Sequence, residues 1–167
     1  MKKDQGFTLI ELMVTMAIFA VLAAVAVINL IGSRPQRQLQ SAARQIYADT
    51  QKCKIAAAKE RMRCALSFGE TADTDYLIYL DADNSSTYSS SETIIASGKW
   101  SGYPTVSLSG TPAFTLNSDG NPTIAFRSTG IPTSPSGGFG NGSVTLKNTK
   151  NDERKLTINR NGNIRLE

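Results

Sequence analysis

The sequence predicts an α+β fold in which a long N-terminal helix leads into an antiparallel β domain. Three observations carry this reading. Apolar residues run from Phe7 to Ile31 with a single charge, Glu11. A second helical stripe follows, with Leu39, Ala43, Ile46, Thr50, Cys53 and Ala57 recurring at spacings of four and three. From Arg61 onward, short runs rich in β-branched and aromatic residues alternate with Asn, Gly, Pro and Ser clusters that favour turns.

Between Leu12 and Ile28 only Thr15 is polar. At the helical rise, the run from Phe7 to Ile31 covers about 37 Å, enough to cross a hydrocarbon core of about 30 Å with some tilt. The preceding Met1-Lys2-Lys3-Asp4-Gln5-Gly6 is short and polar, and its lysine pair favours a cytoplasmic N-terminus with the rest of the chain across the membrane. A conventional secretory signal is the competing reading, because Leu22-Ala23-Ala24-Val25-Ala26 offers an A-x-A-like cleavage site. The apolar run is longer than the roughly 7 to 15 residues such a signal needs.

Gly6-Phe7-Thr8-Leu9-Ile10-Glu11-Leu12 resembles the class III signal of type IV pilins and type II secretion pseudopilins. The resemblance implies cleavage after Gly6 by a prepilin peptidase and N-methylation of the new terminus, Phe7. It also implies that Glu11 pairs with the amine of a neighbouring subunit during filament assembly, so that other pilins or pseudopilins and the inner membrane are the partners. Physical chemistry agrees: a carboxylate on a membrane helix costs a few kcal/mol and therefore tends to face a countercharge. Snorkelling of Glu11 to the membrane surface is the simpler alternative.

The 167 residues hold no histidine, which removes the commonest general base and metal ligand. No Ser/His/Asp or Cys/His arrangement is open to the chain, and no enzyme activity, cofactor or metal is expected. Eight basic residues against two acidic ones lie between Arg34 and Arg63. From Cys64 to Leu146 the balance reverses, with Lys99 and Arg127 against seven carboxylates; from Lys147 it is basic again, six against three. Such alternation lets parts of one molecule, or neighbouring molecules, complement each other.

Gly32-Ser33-Arg34-Pro35 could kink or briefly break the helix, which then resumes as an amphipathic segment over about Gln36 to Lys59. Cys53 and Cys64 pose a geometric test. In one straight helix eleven residues would separate them by about 16 Å, against a disulfide Cα separation of about 4.4 to 6.8 Å. Either both stay reduced in the core, or the chain turns near Lys59-Glu60 and a disulfide staples the helix end to the first strand; the second is the expectation. Arg61 to Phe68 alternates as a strand with Cys64, Leu66 and Phe68 on one side.

Further strands are expected at Tyr76 to Leu80, Thr93 to Ser97, Thr105 to Leu108, Ala113 to Leu116, Thr123 to Arg127, Ser143 to Lys147, Lys155 to Asn159 and Asn163 to Leu166. Asn161-Gly162 suits a two-residue type I′ turn joining the last pair. This layout, with Phe114 to Gly120, Thr129-Gly130, Gly142 to Leu146 and Gly162 to Leu166, is similar to the GspH and FimT/FimU branch of the pilin family. That resemblance implies a pilin-like β domain of two sheets. The expected organisation is a leader over 1–6, a transmembrane and filament-core helix over 7–31, an amphipathic periplasmic helix over 32–60 and the β domain over 61–167. The role implied is a minor pilin or pseudopilin in type II secretion or type IV pilus assembly, single-pass in the bacterial inner membrane with its C-terminal domain periplasmic.

Two loops carry part of a ligand-binding pattern. Asp81-Ala82-Asp83-Asn84-Ser85 resembles the start of a calcium loop but lacks the glycine and distal glutamate of that pattern, and is expected to be a solvated turn. Gly137-Gly138-Phe139-Gly140-Asn141-Gly142 lacks the Gly-Lys-Ser/Thr ending of a phosphate loop and is expected to be a flexible connection. The functional alternative is DNA uptake. Arg154, Lys155, Arg160 and Arg165 cluster around the final hairpin and could neutralise phosphates. FimT-like pilins carry a Gly-Arg-x-Arg motif there, against which Gly162-Asn163-Ile164-Arg165 keeps one arginine.

Overall fold

The computed structural model describes residues 7–167, with the side chains of 25–31 excepted; Gly6 of the expected cleavage site lies outside the described residues. The chain divides into two units, Met1–Arg34 and Pro35–Glu167. One helix, α1 (Leu9–Glu60), is assigned through both and through Pro35, where the sequence suggested a break. Pro35 leaves one helical hydrogen bond unmade.

In the second unit, α1 is followed by β1 (Arg63–Thr71), β2 (Thr74–Asp81), β3 (Ile94–Gly98), β4 (Val106–Leu108) and β5 (Thr115–Leu116). Then come β6 (Pro122–Phe126), β7 (Pro132–Thr133), β8 (Gly142–Asn148), β9 (Glu153–Ile158) and β10 (Ile164–Leu166). They form two antiparallel sheets, as the family resemblance implies. One has the order β3-β2-β1-β6-β5 with β7 also on β6, and the other has the order β10-β9-β8-β4.

The helix stripe read from the sequence is the buried one. Leu39, Ala43, Ile46, Thr50, Cys53 and Ala57 are all at most 2 % exposed, and Ala42 and Asp49 join them. They meet Cys64, Leu66, Phe68, Tyr76, Ile78, Ile124 and Phe126 from the larger sheet, and Val144, Leu146, Leu156 and Ile158 from the smaller one. Period-two alternation in the strands and the 3.6-residue period of the helix thus converge on one core. The opposite face of the larger sheet carries a small second cluster, Ala65, Leu77, Tyr79 and Ala125, covered by Tyr88 from the segment between β2 and β3.

Polar groups fix how the helix lies on the sheets. The Tyr76 hydroxyl donates to Asp49 at 2.8 Å, the Tyr103 hydroxyl to Gln45 at 2.8 Å and the Thr105 hydroxyl to Gln38 at 2.6 Å. Lys54 reaches the last hairpin, donating to the Gly162 carbonyl at 2.8 Å. Asp49 falls at the stripe spacing after Ile46, a signal the sequence offered, since a carboxylate on a buried face demands donors.

The chain does turn between Cys53 and Cys64, with Arg61 in the left-handed region at φ 54° just after the helix. Both cysteines are fully buried, which brings one from α1 and one from β1 into the same core cluster. They are free thiols in this structure, which departs from the expected disulfide. Burial pushes the Cys53 thiol well above its ordinary value, and a hydrogen bond with Cys64 adds to this, so Cys53 is held protonated.

The last hairpin also differs from its sequence reading. Asn159 donates its amide to the Asn163 carbonyl at 3.0 Å, and Gly162 donates to the Asn159 carbonyl at 2.8 Å. The loop therefore has three residues, Arg160, Asn161 and Gly162. Only Gly162 has positive φ, 79°, whereas a type I′ turn requires it at both central positions. The one-residue change pairs Ile158 with Ile164 and Leu156 with Leu166. A two-residue loop would have set Ile158 opposite Arg165. Because a one-residue slip exchanges the faces of a strand, the core selects the longer loop.

Candidate assembly site

Thr8 stands just before α1 and Glu11 in its first turn. The Thr8 amide donates to Glu11 Oε2 at 2.9 Å, and the Thr8 hydroxyl donates to the same oxygen at 2.8 Å. In return, the Glu11 amide approaches Thr8 Oγ1 at 3.4 Å. This is a reciprocal capping box, and its Thr-x-x-Glu spacing is legible in the sequence although the charge alone drew attention there. The carboxylate is held at the positive end of the helix dipole, three residues from the helix-starting threonine and four from Phe7.

Around it, every described side chain from Phe7 to Ala24 is exposed. Phe7 is 87 % exposed and Phe19 71 %, and Val14, Ala17, Ile18, Val21 and Leu22 line an apolar groove at helical spacing. A contiguous apolar surface of this kind marks a contact with lipid or protein. Beside it, Glu11 presents an exposed carboxylate with no cation partner among the described residues.

The four hairpin cations are all exposed but do not form one patch. Arg154 stands on the same face of β9 as the buried Leu156 and Ile158, whereas Lys155 and Arg165 lie on the opposite face. Arg160 sits in the loop, its Nε 3.3 Å from the Asn141 side-chain oxygen. Lys147 is opposite Glu153 in the ladder, so the outer face is mixed in charge. The arrangement does not concentrate positive potential on a phosphate backbone.

The segment read as a solvated turn is only partly so. Asp81 is 1 % exposed and pairs with Arg63, whose Nε is 3.2 Å from its Oδ2 in a charge contact rather than an aligned hydrogen bond. Burial raises the Asp81 carboxyl above its ordinary value despite Arg63 and the Ser86 amide. Asp83 is exposed, accepts from the Ser85 amide, and is held below its ordinary value by that bond. Glu92 accepts from the amides of Ala82 and Ser89, so the three neighbouring carboxylates serve as local turn acceptors. The glycine-rich segment is likewise tied down: Gly140 donates to the Pro132 carbonyl at 2.9 Å, and Thr133 and Ser134 hydroxyls donate to the carbonyls of Gly138 and Gly137.

Residues 1–27 match the prokaryotic N-terminal methylation motif, and residues 42–162 match the family described as type II transport protein GspH. No curated protein matches the chain. Among solved structures, the Pseudomonas aeruginosa type IV minor pilin FimU is 18 % identical, with 79 % of this chain and 90 % of that chain covered and a TM-score of 0.46. The GspH match spans the buried helix stripe from Ala42 onward, nearly all of both sheets and the final turn, while the methylation motif contains Phe7 and the capped Glu11. This chain therefore belongs to the GspH family and is a minor pilin or pseudopilin, a structural subunit of a type IV filament.

Proposed function

We propose that this subunit is made as a bitopic inner-membrane protein, cut after Gly6 and methylated at Phe7, and then drawn by its apolar helix into a filament serving type II secretion or type IV pilus assembly. Glu11 pairs with the Phe7 amine of a neighbouring copy or related subunit and sets the axial register of the helices. The observation that supports this most directly is a capped, solvent-facing Glu11 on a helix whose described apolar side chains are all uncovered. Among the described residues no helix is long and apolar enough to cross a membrane. Anchoring is thus read from the sequence, in which the apolar run continues to Ile31.

In an oxidising compartment the buried pair Cys53 and Cys64 closes to a disulfide that staples α1 to β1. No particular observation favours the DNA-uptake alternative, because the register of β9 and β10 distributes Arg154, Lys155, Arg160 and Arg165 over two faces and a loop.

Replacing Glu11 by alanine and by glutamine tests the assembly role. Both variants should stay in the membrane and lose incorporation into filaments, and normal incorporation of either would count against the pairing. N-terminal sequencing of the mature chain should read methylated Phe7; a start beyond Ala26 would overturn the anchored subunit altogether.

A further inference from the structure

On the face of the larger sheet turned away from the helix, a cleft of about 580 Å³ opens between the segment after β2 and the glycine-rich segment after β7. Its floor is the ion pair of Arg63 and Asp81, and Arg61 and Arg127 stand at its sides. These cations come from three places in the chain: the residue after the helix, the start of β1 and the end of β6. Arg127 is one of just two basic residues between Cys64 and Leu146. The fold brings it to the arginines at the helix end.

The charges of the cleft are not balanced. Arg63 is fully engaged, with Nε at Asp81, Nη1 donating to the Asn84 carbonyl at 2.9 Å and Nη2 donating to the Ser86 hydroxyl. Asp81 is engaged with Arg63 and with the Ser86 amide at 3.3 Å. Arg61 and Arg127 are exposed, and their guanidinium groups make no hydrogen bond or ion pair among the described residues, Arg127 being tied only through its backbone to Ile131 and Gly130. Two guanidinium groups therefore face the recess without a countercharge.

We propose that this cleft is a docking site for an acidic segment of a neighbouring filament subunit, whose side-chain carboxylates Arg61 and Arg127 would hold. Guanidinium matches a carboxylate in bidentate geometry, which is why arginine serves such contacts better than lysine. A polyphosphate backbone fits less well. Asp81 lies in the floor and Asp83 and Glu92 lie beside it, so a run of closely spaced negative charges meets repulsion that one or two carboxylates opposite Arg61 and Arg127 avoid. The recess is of small-molecule size and admits one or two side chains, and Met62 and Pro135 on its lining offer apolar contact to a peptide. The choice of a subunit as the source rests on the filament reading above; the carboxylate chemistry does not.

The test uses the full chain in detergent micelles and a rhodamine-labelled, C-terminally amidated Gly-Glu-Gly-Gly-Glu-Gly peptide, whose two side-chain carboxylates match the two arginines, followed by anisotropy. The Arg61→Asn/Arg127→Gln double variant should bind about tenfold more weakly or worse, while Arg160→Gln/Arg165→Gln should bind like the parent. Asparagine is chosen at position 61 because it tolerates the left-handed backbone found there. Arg127→Gln alone, with an unchanged melting curve, guards against misfolding. Absence of peptide binding, equal binding by the double variant, or stronger competition by inorganic phosphate or duplex DNA than by free peptide would overturn the site. Loss of peptide binding with normal filament incorporation would overturn the neighbouring subunit as its occupant. The Glu11→Ala chain should bind the peptide normally, so failure of assembly and failure of the cleft are read separately.

Discussion

The hydroxyl of Tyr76 in β2 donates to the buried carboxylate of Asp49 in α1 at 2.8 Å, joining two residues 27 positions apart across the main core. Asp49 also pairs with Lys52 at 2.7 Å, and burial together with the carboxylate pushes the Tyr76 phenol far above its ordinary value. The Tyr76 ring lies over Gly98, its partner in β3, where any Cβ would fall within the ring. From there it packs on Trp100 at a centroid distance of 5.4 Å.

Tyr76→Phe removes a hydrogen bond to a buried charge and should cost about 2 kcal/mol in urea unfolding of the full chain. Tyr79 makes the control, because its hydroxyl is equally buried but has no hydrogen-bond partner among the described residues. Tyr79→Phe should be neutral or stabilising, by up to about 1 kcal/mol. If the two replacements cost the same, the Asp49 bond is not what distinguishes them.

Gly162 is required where it stands. Its φ is 79°, and a Cβ there would lie 2.5 Å from the Gly130 carbonyl and 3.3 Å from Lys54 Nζ. Gly162→Ala should lower the melting temperature by several degrees, at a cost of about 1 to 3 kcal/mol. Lys54→Met, which removes the hydrogen bond from Lys54 to the Gly162 carbonyl without a backbone change, should cost less. Equal losses would show that the hydrogen bond dominates over the backbone.

The buried thiols give a redox prediction. Chain exported to an oxidising compartment should resist alkylation after denaturation and gain two alkyl groups after reduction, as read by mass spectrometry. Closing this short loop should raise stability by about 3 kcal/mol. Alkylation at both Cys53 and Cys64 without prior reduction would show that the pair remains reduced.

Asp81 sets a pH dependence with a definite sign. Its carboxyl is raised in the folded chain, so above the ordinary aspartate value of about 3.9 the native state holds the proton more tightly than the unfolded state. The stability this supplies is full below about pH 3.9 and is lost as pH rises through the raised value. Asp83, held low, contributes oppositely: its share is present above the ordinary value and is lost as pH falls. Unfolding of the parent and of Asp81→Asn between about pH 4 and pH 6 separates them. The parent should show the more negative slope with pH, and parallel curves would contradict the assignment.

The sequence by itself determined the helix and its buried stripe, nine of the ten described strands, the position of the last turn and the capped Glu11, because each follows from local periodicity or from contacts within four residues; the two-residue β7 exists only through its pairing with β6. The strands read at Ala113 to Leu116 and Asn163 to Leu166 came out shorter, as Thr115–Leu116 and Ile164–Leu166, since strand ends depend on partners as well as propensity. Tertiary structure alone decided the rest. The three-residue final loop was selected by pairing Ile158 with Ile164, Asp49 became a buried acceptor when Tyr76 came over it, and the cluster of hairpin cations dissolved when β9 put Arg154 and Lys155 on opposite faces. The meeting of Arg61, Arg63 and Arg127 belongs with these, for it depends on β1 lying beside β6, a pairing between segments some sixty residues apart that no local signal encodes.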